Sequence, residues 1–248
     1  MLGKLFHKKI YGIEPKVPRD SKLWPIAWKT KHFKNYARFK KYRLPKPELP
    51  DANLKEILEQ RHSSRNFTNA TEMTQLELAT LLHYSAGIKG EPGEFEYSEQ
   101  AELDKTKRYY PSGGSHYPIE TYCVVRHVTG IPPGIYHYNV LEHSLALILP
   151  EMALKTFDDA LWQDWFQDVS VMVVFTAIWN RSFEKYLDRG YALVLLEGGH
   201  IGQNLLLVAE SMGLKHRPFT SFTLTTIDTL FDFDEMGEST FYMIGVSK

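Results

Sequence analysis

Residues 191–212 read YALVLLEGGHIGQNLLLVAESM, and Gly213 follows. Apolar residues fall on nearly every side of a 3.6-residue wheel, so the segment reads as a helix with almost no polar face, stopped by the glycine. Such a helix belongs at the centre of a core or across a large dimer interface. Upstream, residues 169–178 carry the β-branched run of a buried strand, and residues 154–166 a helical pattern. Residues 121–126, 134–138 and 144–149 have strand composition, the first two separated by a turn-like Gly130-Ile-Pro-Pro-Gly134; residues 241–246 close as a last strand. Two helix starts precede them. Asn53 and Glu56 form a capping box ahead of Leu54, Ile57 and Leu58, and Thr74 and Glu77 another before Leu76, Leu78, Leu81 and Leu82, with Gly87 as the stop. Residues 89–107 are polar and aperiodic, the pattern of a mobile loop. The mixture lacks the regular alternation of a doubly wound sheet, which makes the class α+β.

The 248-residue chain is long enough to bury a full core, and its composition is that of an ordinary globular protein. A single cysteine, Cys123, excludes an intramolecular disulfide framework and a cysteine-based zinc site, and points to a reducing compartment, the cytoplasm. Lys4, Lys8 and Lys9 interrupt the first segment, so no signal-peptide core is expected there, and no uninterrupted apolar run reaches the length of a membrane span. The net charge of -1 conceals an asymmetry: residues 1–50 hold 14 Lys+Arg against 3 Asp+Glu, leaving 15 against 27 in the rest. Six prolines punctuate those fifty residues, which read as a basic arm with short helical pieces ahead of one domain over residues 51–248. Its interleaved Trp24, Trp28, Phe33, Tyr36 and Phe39 suit either an acidic partner or the acidic body of the same protein. No module for binding nucleic acid frames it.

Three segments carry candidate chemistry. In Arg61-His-Ser-Ser-Arg65, an extended backbone sets Arg61, Ser63 and Arg65 on one side, two guanidinium groups bracketing a hydroxyl, a set that suits a phosphate monoester or a plain solvated surface. Pro111-Ser-Gly-Gly-Ser-His-Tyr-Pro-Ile-Glu120 pairs Gly113 and Gly114, which let backbone approach a flat ligand, with the hydroxyls of Ser112 and Ser115; it also reads as a glycine turn before a strand. In Lys185-Tyr-Leu-Asp-Arg-Gly-Tyr191 an ammonium beside a phenol lowers the pKa of the phenol if the two touch, and otherwise both belong to a helix surface. No dinucleotide turn, phosphate loop, zinc-protease helix or serine-hydrolase elbow occurs, and the ten histidines show no zinc-ligand spacing, so no metal is expected.

Taken in order, these segments, with Gly134-Ile-Tyr-His-Tyr138 and Glu197-Gly-Gly-His-Ile-Gly-Gln-Asn204, resemble the nitroreductases, and within them the SagB-type azoline dehydrogenase branch, over residues 55–248. The resemblance implies a central, mostly antiparallel sheet flanked by helices in an intertwined homodimer, with FMN at the interface. It assigns Arg61, His62, Ser63 and Arg65 to the flavin phosphate and ribityl chain, Pro111, Ser112, Gly113, Gly114 and Ser115 to the ring, and Glu197, Gly198 and Gly199 to its neighbourhood, with Arg217 as a further phosphate contact. Lys185 and Tyr186 become the catalytic pair that oxidises azoline rings to azoles in a ribosomally made peptide, Tyr186 taking the proton. A peptide substrate and a cyclase are the implied partners, without nucleic acid or membrane. Ser115, His116 and Leu187 depart from the branch pattern; Leu187 stands where a glycine is usual. A generic NAD(P)H-dependent nitro- or quinone reductase and a non-catalytic partner-binding scaffold are the alternatives.

Overall fold

The computed structural model describes residues 2–68, 71–91, 103–234 and 237–248. Helix α1 (Leu2–Tyr11) opens the chain, and strand β1 (Lys41–Arg43) ends the arm. Helices α2 (Leu54–Gln60) and α3 (Gln75–Ala86) come next. The sheet follows as β2 (Ile119–Val125), β3 (Gly134–Asn139) and β4 (Ser144–Pro150), then α4 (Leu154–Asp159) and β5 (Val171–Ile178). Helices α5 (Asn180–Tyr186) and α6 (Arg189–Ser211), strand β6 (Lys215–Phe219), helix α7 (Leu224–Leu230) and strand β7 (Glu238–Ser247) complete it. The order across the sheet is β1-β4-β3-β2-β5-β7-β6, and every pairing is antiparallel.

Strand periodicity divides the core in two. Cys123, Val125, Val173 and Phe175 face α3 and α6, where Leu78, Leu81, Leu82, Val194, Ile201 and Leu205 meet them. Their sequence neighbours Tyr122, Val124, Met172 and Val174 face the other way, against Phe157 of α4, Ile227 of α7, Phe166 and Phe231. Both faces of the central strands are therefore dry, which explains why residues 169–178 look uniformly apolar rather than alternating.

By length and composition α6 is able to cross a bilayer, a fit that Glu197, His200 and Glu210 hide from a search for uninterrupted apolar runs. Part of its apolar surface is packed, while Leu195 and Leu196 stay exposed, and Gly198 and Gly202 let the helix lie close to β7. A Cβ on either would come within 2.4 Å of the Phe241 or Tyr242 ring. These adjacent aromatics both reach the α6 face because the β5–β7 register shifts between Phe175 and Thr176, leaving Phe241 as the extra residue.

The Thr74–Glu77 capping box forms in full. At Asn53 the expected box is reduced to one half: its side chain accepts from the Lys55 amide. The helix expected over residues 154–166 stops at Asp159, because residues 160–162 hydrogen-bond to residues 221–223 (Thr223 N to Ala160 O, 2.8 Å; Trp162 N to Ser221 O, 3.2 Å). Most of the expected 89–107 loop, residues 92–102, lies outside the described residues; its near flanks are joined through Lys89 N and Lys107 O at 2.8 Å.

The arm lies on its own protein. Strand β1 extends the sheet beside β4, Lys34 reaches Glu238 at 2.5 Å and the Tyr122 hydroxyl at 2.8 Å, and Lys41 reaches Glu142 at 2.6 Å. Helix α1 sits on α6, Phe6 edge-on to Tyr191 with centroids 5.2 Å apart.

Candidate functional site

The turn over residues 112–117 is strained: Gly114, Ser115 and Tyr117 all have positive φ (65°, 60° and 49°). Two of them are not glycine, and such outliers persist where surrounding structure holds them, commonly at ligand sites. The Ser112 hydroxyl accepts the Tyr117 amide at 2.9 Å, which closes the turn. A Cβ on Gly114 would stand 2.7 Å from the Tyr186 hydroxyl, so glycine is what lets the phenol lie over the turn. Gly113 faces Leu193 and Tyr186.

Glu197, from the third turn of α6, comes up beside the same turn. Burial pushes its carboxyl pKa up to about 8, against the opposing pull of the Ser112 hydroxyl and Arg108. Its Oε1 has no hydrogen-bond partner, an orphaned acceptor turned into the cluster. Lys185 is buried too. Its Nζ lies 5.3 Å from the centroid of the Tyr186 ring and 3.4 Å from that of Trp24, with no hydrogen-bond partner. Burial lowers the pKa of Lys185 and raises that of Tyr186. The expectation that the ammonium lowers the pKa of the phenol is thus reversed, because desolvation of the phenolate dominates. His116, its ring 6.1 Å from that of Tyr186, is lowered to about 4 by burial and then by the Lys185 charge.

Beneath this cluster lies a buried ionic group to which sequence reasoning assigned no role. Arg181 donates to Glu120 at 2.6 Å and to the Tyr117 carbonyl at 3.1 Å; His137 Nε2 lies 2.9 Å from the other Glu120 oxygen. Arg108 packs its guanidinium 5.1 Å from the Tyr117 ring centroid and donates to Tyr110 at 3.1 Å. Glu120 closes the quoted turn segment and was legible there; Arg181 and Arg108 carry no signal of their own.

The remaining candidates gather elsewhere. Ser64, rather than Ser63, turns inward: its amide donates to the His216 carbonyl at 2.9 Å and its hydroxyl accepts the His216 amide at 3.1 Å. Ser63, His62 and Arg65 are exposed and Arg61 half-buried. Next to His216 on β6, Arg217 stacks its guanidinium 4.6 Å from the Trp165 ring centroid. His216 Nε2 lies 2.9 Å from Glu210, its Nδ1 without a partner, and burial lowers its pKa, with Arg61 and His62 adding to that. Register separates the two clusters. His216 pairs with Val246 at one end of β7, while Glu238, at the other end, pairs with Ile178 beside the Glu120 group. Along α6, the thirteen residues from Glu197 to Glu210, which meets His216, span about 20 Å. The structure therefore brings Ser112, Gly113, Gly114, Ser115, Lys185, Tyr186 and Glu197 together; Arg61 and His62 lie near His216, whereas Arg217, the next residue of β6, faces the other side of the sheet against Trp165, and Ser63 and Arg65 are exposed. Pro111 is exposed at the entry to the turn, and Gly199 is exposed with open space before it. Gly198 faces the Phe241 ring of its own sheet, where a side chain would not fit.

Leu187 ends α5 at φ 52°, ψ -150°, a backbone region that disfavours any side chain, and its own side chain is 55% exposed. Glycine removes that strain at little loss of packing. Leu187→Gly is expected to raise stability by about 1 kcal/mol, read as a higher denaturation midpoint with unchanged slope; a lower midpoint would show that Leu187 packs usefully.

The sequence profile of the Nitroreductase family matches residues 45–248. A protein of Methanocaldococcus jannaschii named as a nitroreductase, MJ1384, is 31% identical over 68% of this chain and 78% of its own length. The trifolitoxin-processing protein TfxB of Rhizobium leguminosarum is 29% identical over 66% of this chain, a match spanning 44% of TfxB. Among solved structures, a chain of the Escherichia coli microcin synthetase McbBCD, determined with truncated pro-MccB17 bound, superposes with a TM-score of 0.64 at 20% identity, over 100% of this chain and 91% of that one. A nitroreductase-fold structure from Desulfovibrio desulfuricans that contains FMN covers 79% of this chain and 86% of its own, with a TM-score of 0.52 at 11% identity. With the antiparallel sheet, the two flanking helix layers and this match over most of its length, the chain belongs to the nitroreductase family of oxidoreductases.

Proposed function

We propose that this protein is an FMN-dependent dehydrogenase that oxidises azoline rings to azoles in a ribosomally made peptide, acting as a homodimer in the cytoplasm beside the cyclase that forms the rings. The observation that carries this reading is the pair of buried Lys185 and half-buried Tyr186, the phenol set over the Gly113–Gly114 turn. The peptide-processing role in the name of TfxB, and the peptide held in the McbBCD complex, support the substrate class.

The residues fit FMN as two half-sites. Arg61 and Arg65 offer guanidinium groups for a phosphate, while the turn at Gly113 and Gly114, with the unpartnered Glu197 Oε1, offers a close backbone and a hydrogen-bonding carboxyl for a flat polar ring. Along α6, about 20 Å separates Glu197 from Glu210, which meets His216, and in this reading a second copy completes one site. When bound, FMN supplies the acceptor for two electrons. The azoline loses a proton from one ring carbon and a hydride equivalent from its neighbour. Lys185, its pKa lowered by burial, is the better proton acceptor of the pair, and Tyr186, its pKa raised, stays a phenol that donates a hydrogen bond. This reverses the roles the sequence suggested.

One observation favours a second reading, reduction of flat nitro or quinone acceptors: an open cavity of about 530 Å³ has Trp179, Phe183, Tyr191, Phe222 and Phe241 on its walls. The test is an absorption spectrum of the desalted protein, FMN release on heating, and then turnover of an azoline peptide against nitroaromatics with NADPH. The expected result is about one FMN per chain and oxidation of the azoline peptide, seen as a loss of two mass units per ring. FMN with nitroaromatic turnover alone would replace this reading by the second, and no FMN uptake would leave a binding scaffold.

A further inference from the structure

Lys185 Nζ is shut off from water, and the group over it is the indole of Trp24, with the ring centroid 3.4 Å away; Trp28 stands behind at 6.0 Å. A base that takes a proton from a substrate must come within hydrogen-bond reach of it, and in this arrangement the indole occupies the approach.

The way Trp24 is held is unlike the way the rest of the arm is held. Before it, α1 lies on α6, with Arg189 5.6 Å from the centroid of the Tyr11 ring. After it, Lys31 is fixed through its amide to Asp104 at 2.8 Å and through its ammonium to the Thr106 carbonyl, and Lys34 is fixed to Glu238. Between these anchors, the hydrogen bonds of residues 14–30 stay within the arm: Trp24 Nε1 to the Pro18 carbonyl at 2.7 Å, the Trp24 amide to Ser21, the Trp28 amide to Pro25, the Lys22 amide to Asp20. The flanking Leu23 and Ile26 are 70% and 81% exposed. The segment is a strap pinned at both ends, whose middle makes its hydrogen bonds within the arm and lies on the body through its half-buried Trp24 and Trp28. Displacing it breaks no hydrogen bond to the body among the described residues.

We propose that Trp24 is a gating residue: its indole covers Lys185 in the resting protein, and a peptide carrying a planar ring takes its place. The inference rests on the assignment of Lys185 to the chemistry. The groups facing Lys185 are His116 from the strained turn, Tyr186 from its own helix, and the two uncharged indoles of the arm, so among the described residues no acidic partner keeps the amine in place once the indole leaves.

The experiment is amine acylation of the full-length, flavin-loaded protein across a pH series, with the extent at Lys185 and at exposed Lys155 read by peptide mass spectrometry. In the wild type, Lys185 is expected to reach a low plateau, with a midpoint below that of Lys155. Trp24→Ala should raise the plateau about tenfold and move the midpoint upward, whereas Trp24→Phe, which keeps an aromatic face, should stay near wild type. Trp24→Leu, which keeps apolar bulk, serves if the alanine variant does not fold, with the same direction of change. An unchanged plateau in both the alanine and leucine variants overturns the gate, whatever the rate of azoline oxidation. Raised labelling with no azoline oxidation in any variant leaves the cover in place and sinks the substrate assignment instead. Addition of azoline peptide to the wild type should also change Lys185 labelling, and no change at saturating peptide would overturn displacement.

Discussion

Lys185→Ala should lower azoline oxidation by about 10²–10⁴-fold, the range for removal of a positioned general base, while FMN content and the fold are unaffected. Lys185 makes no hydrogen bond and its Nζ contacts are to aromatic rings, so replacing it strands no buried partner. Tyr186→Phe removes a hydroxyl that stands over Gly114 and should cost less, about 10²-fold. The pH profile separates the roles. If the amine is the base, kcat rises with pH through a midpoint below that of an ordinary lysine and then levels, because burial lowers that pKa. Tyr186→Phe should keep the midpoint and lower only the plateau. A profile that keeps its shape in Lys185→Ala would assign the base elsewhere, and loss of FMN from either variant would move the pair from chemistry to cofactor binding.

Glu120→Ala should destabilise the protein by about 3–5 kcal/mol, since it leaves Arg181 buried with its countercharge gone. Burial disfavours the Glu120 carboxylate, but Arg181 and His137 overcome this and hold its pKa well below the usual carboxylate range. The sign follows from linkage. With the folded value depressed, the stabilisation is complete above the unfolded carboxylate pKa of about 4.3 and is lost as pH falls toward the folded value. Chemical denaturation between pH 7 and pH 3 should therefore show a steep acid limb in the wild type and a shallower one in Glu120→Ala. Equal limbs would mean that other carboxylates dominate acid unfolding. Because Arg181 also holds the Tyr117 carbonyl, the loss should spread into the strained turn and weaken whatever binds over Gly113 and Gly114.

What was legible in the sequence is what local physics writes into neighbouring residues. Thr74 and Glu77 satisfy each other across one turn, so their capping box could be read from spacing alone. The all-round apolar character of residues 191–212 located α6 to within two residues at either end. The turn at residues 111–115 and the Lys185–Tyr186 pair were legible as motifs, and the structure places them against each other. Long-range pairing was not legible. Nothing near Lys185 in the chain announces an indole from the arm, and nothing near Glu120 announces Arg181. Nothing in the sequence announces the register shift in β7 that puts Phe241 against Gly198. The expected 154–166 helix fails for a similar reason, since its second half hydrogen-bonds to residues 221–223.

Strand β1 has a consequence for the order of synthesis. Lys41 pairs with Ala146, so β1 leaves the ribosome about 100 residues before the strand it joins. At about 5–20 residues per second, that is a delay of about 5–20 s. During that time the arm has no sheet to dock on, and once β4 is made, its outer edge stays unpaired, open to wrong neighbours, until β1 returns. The roof over Lys185 is thus fitted to a body made after it, and closing that roof belongs among the last steps of maturation.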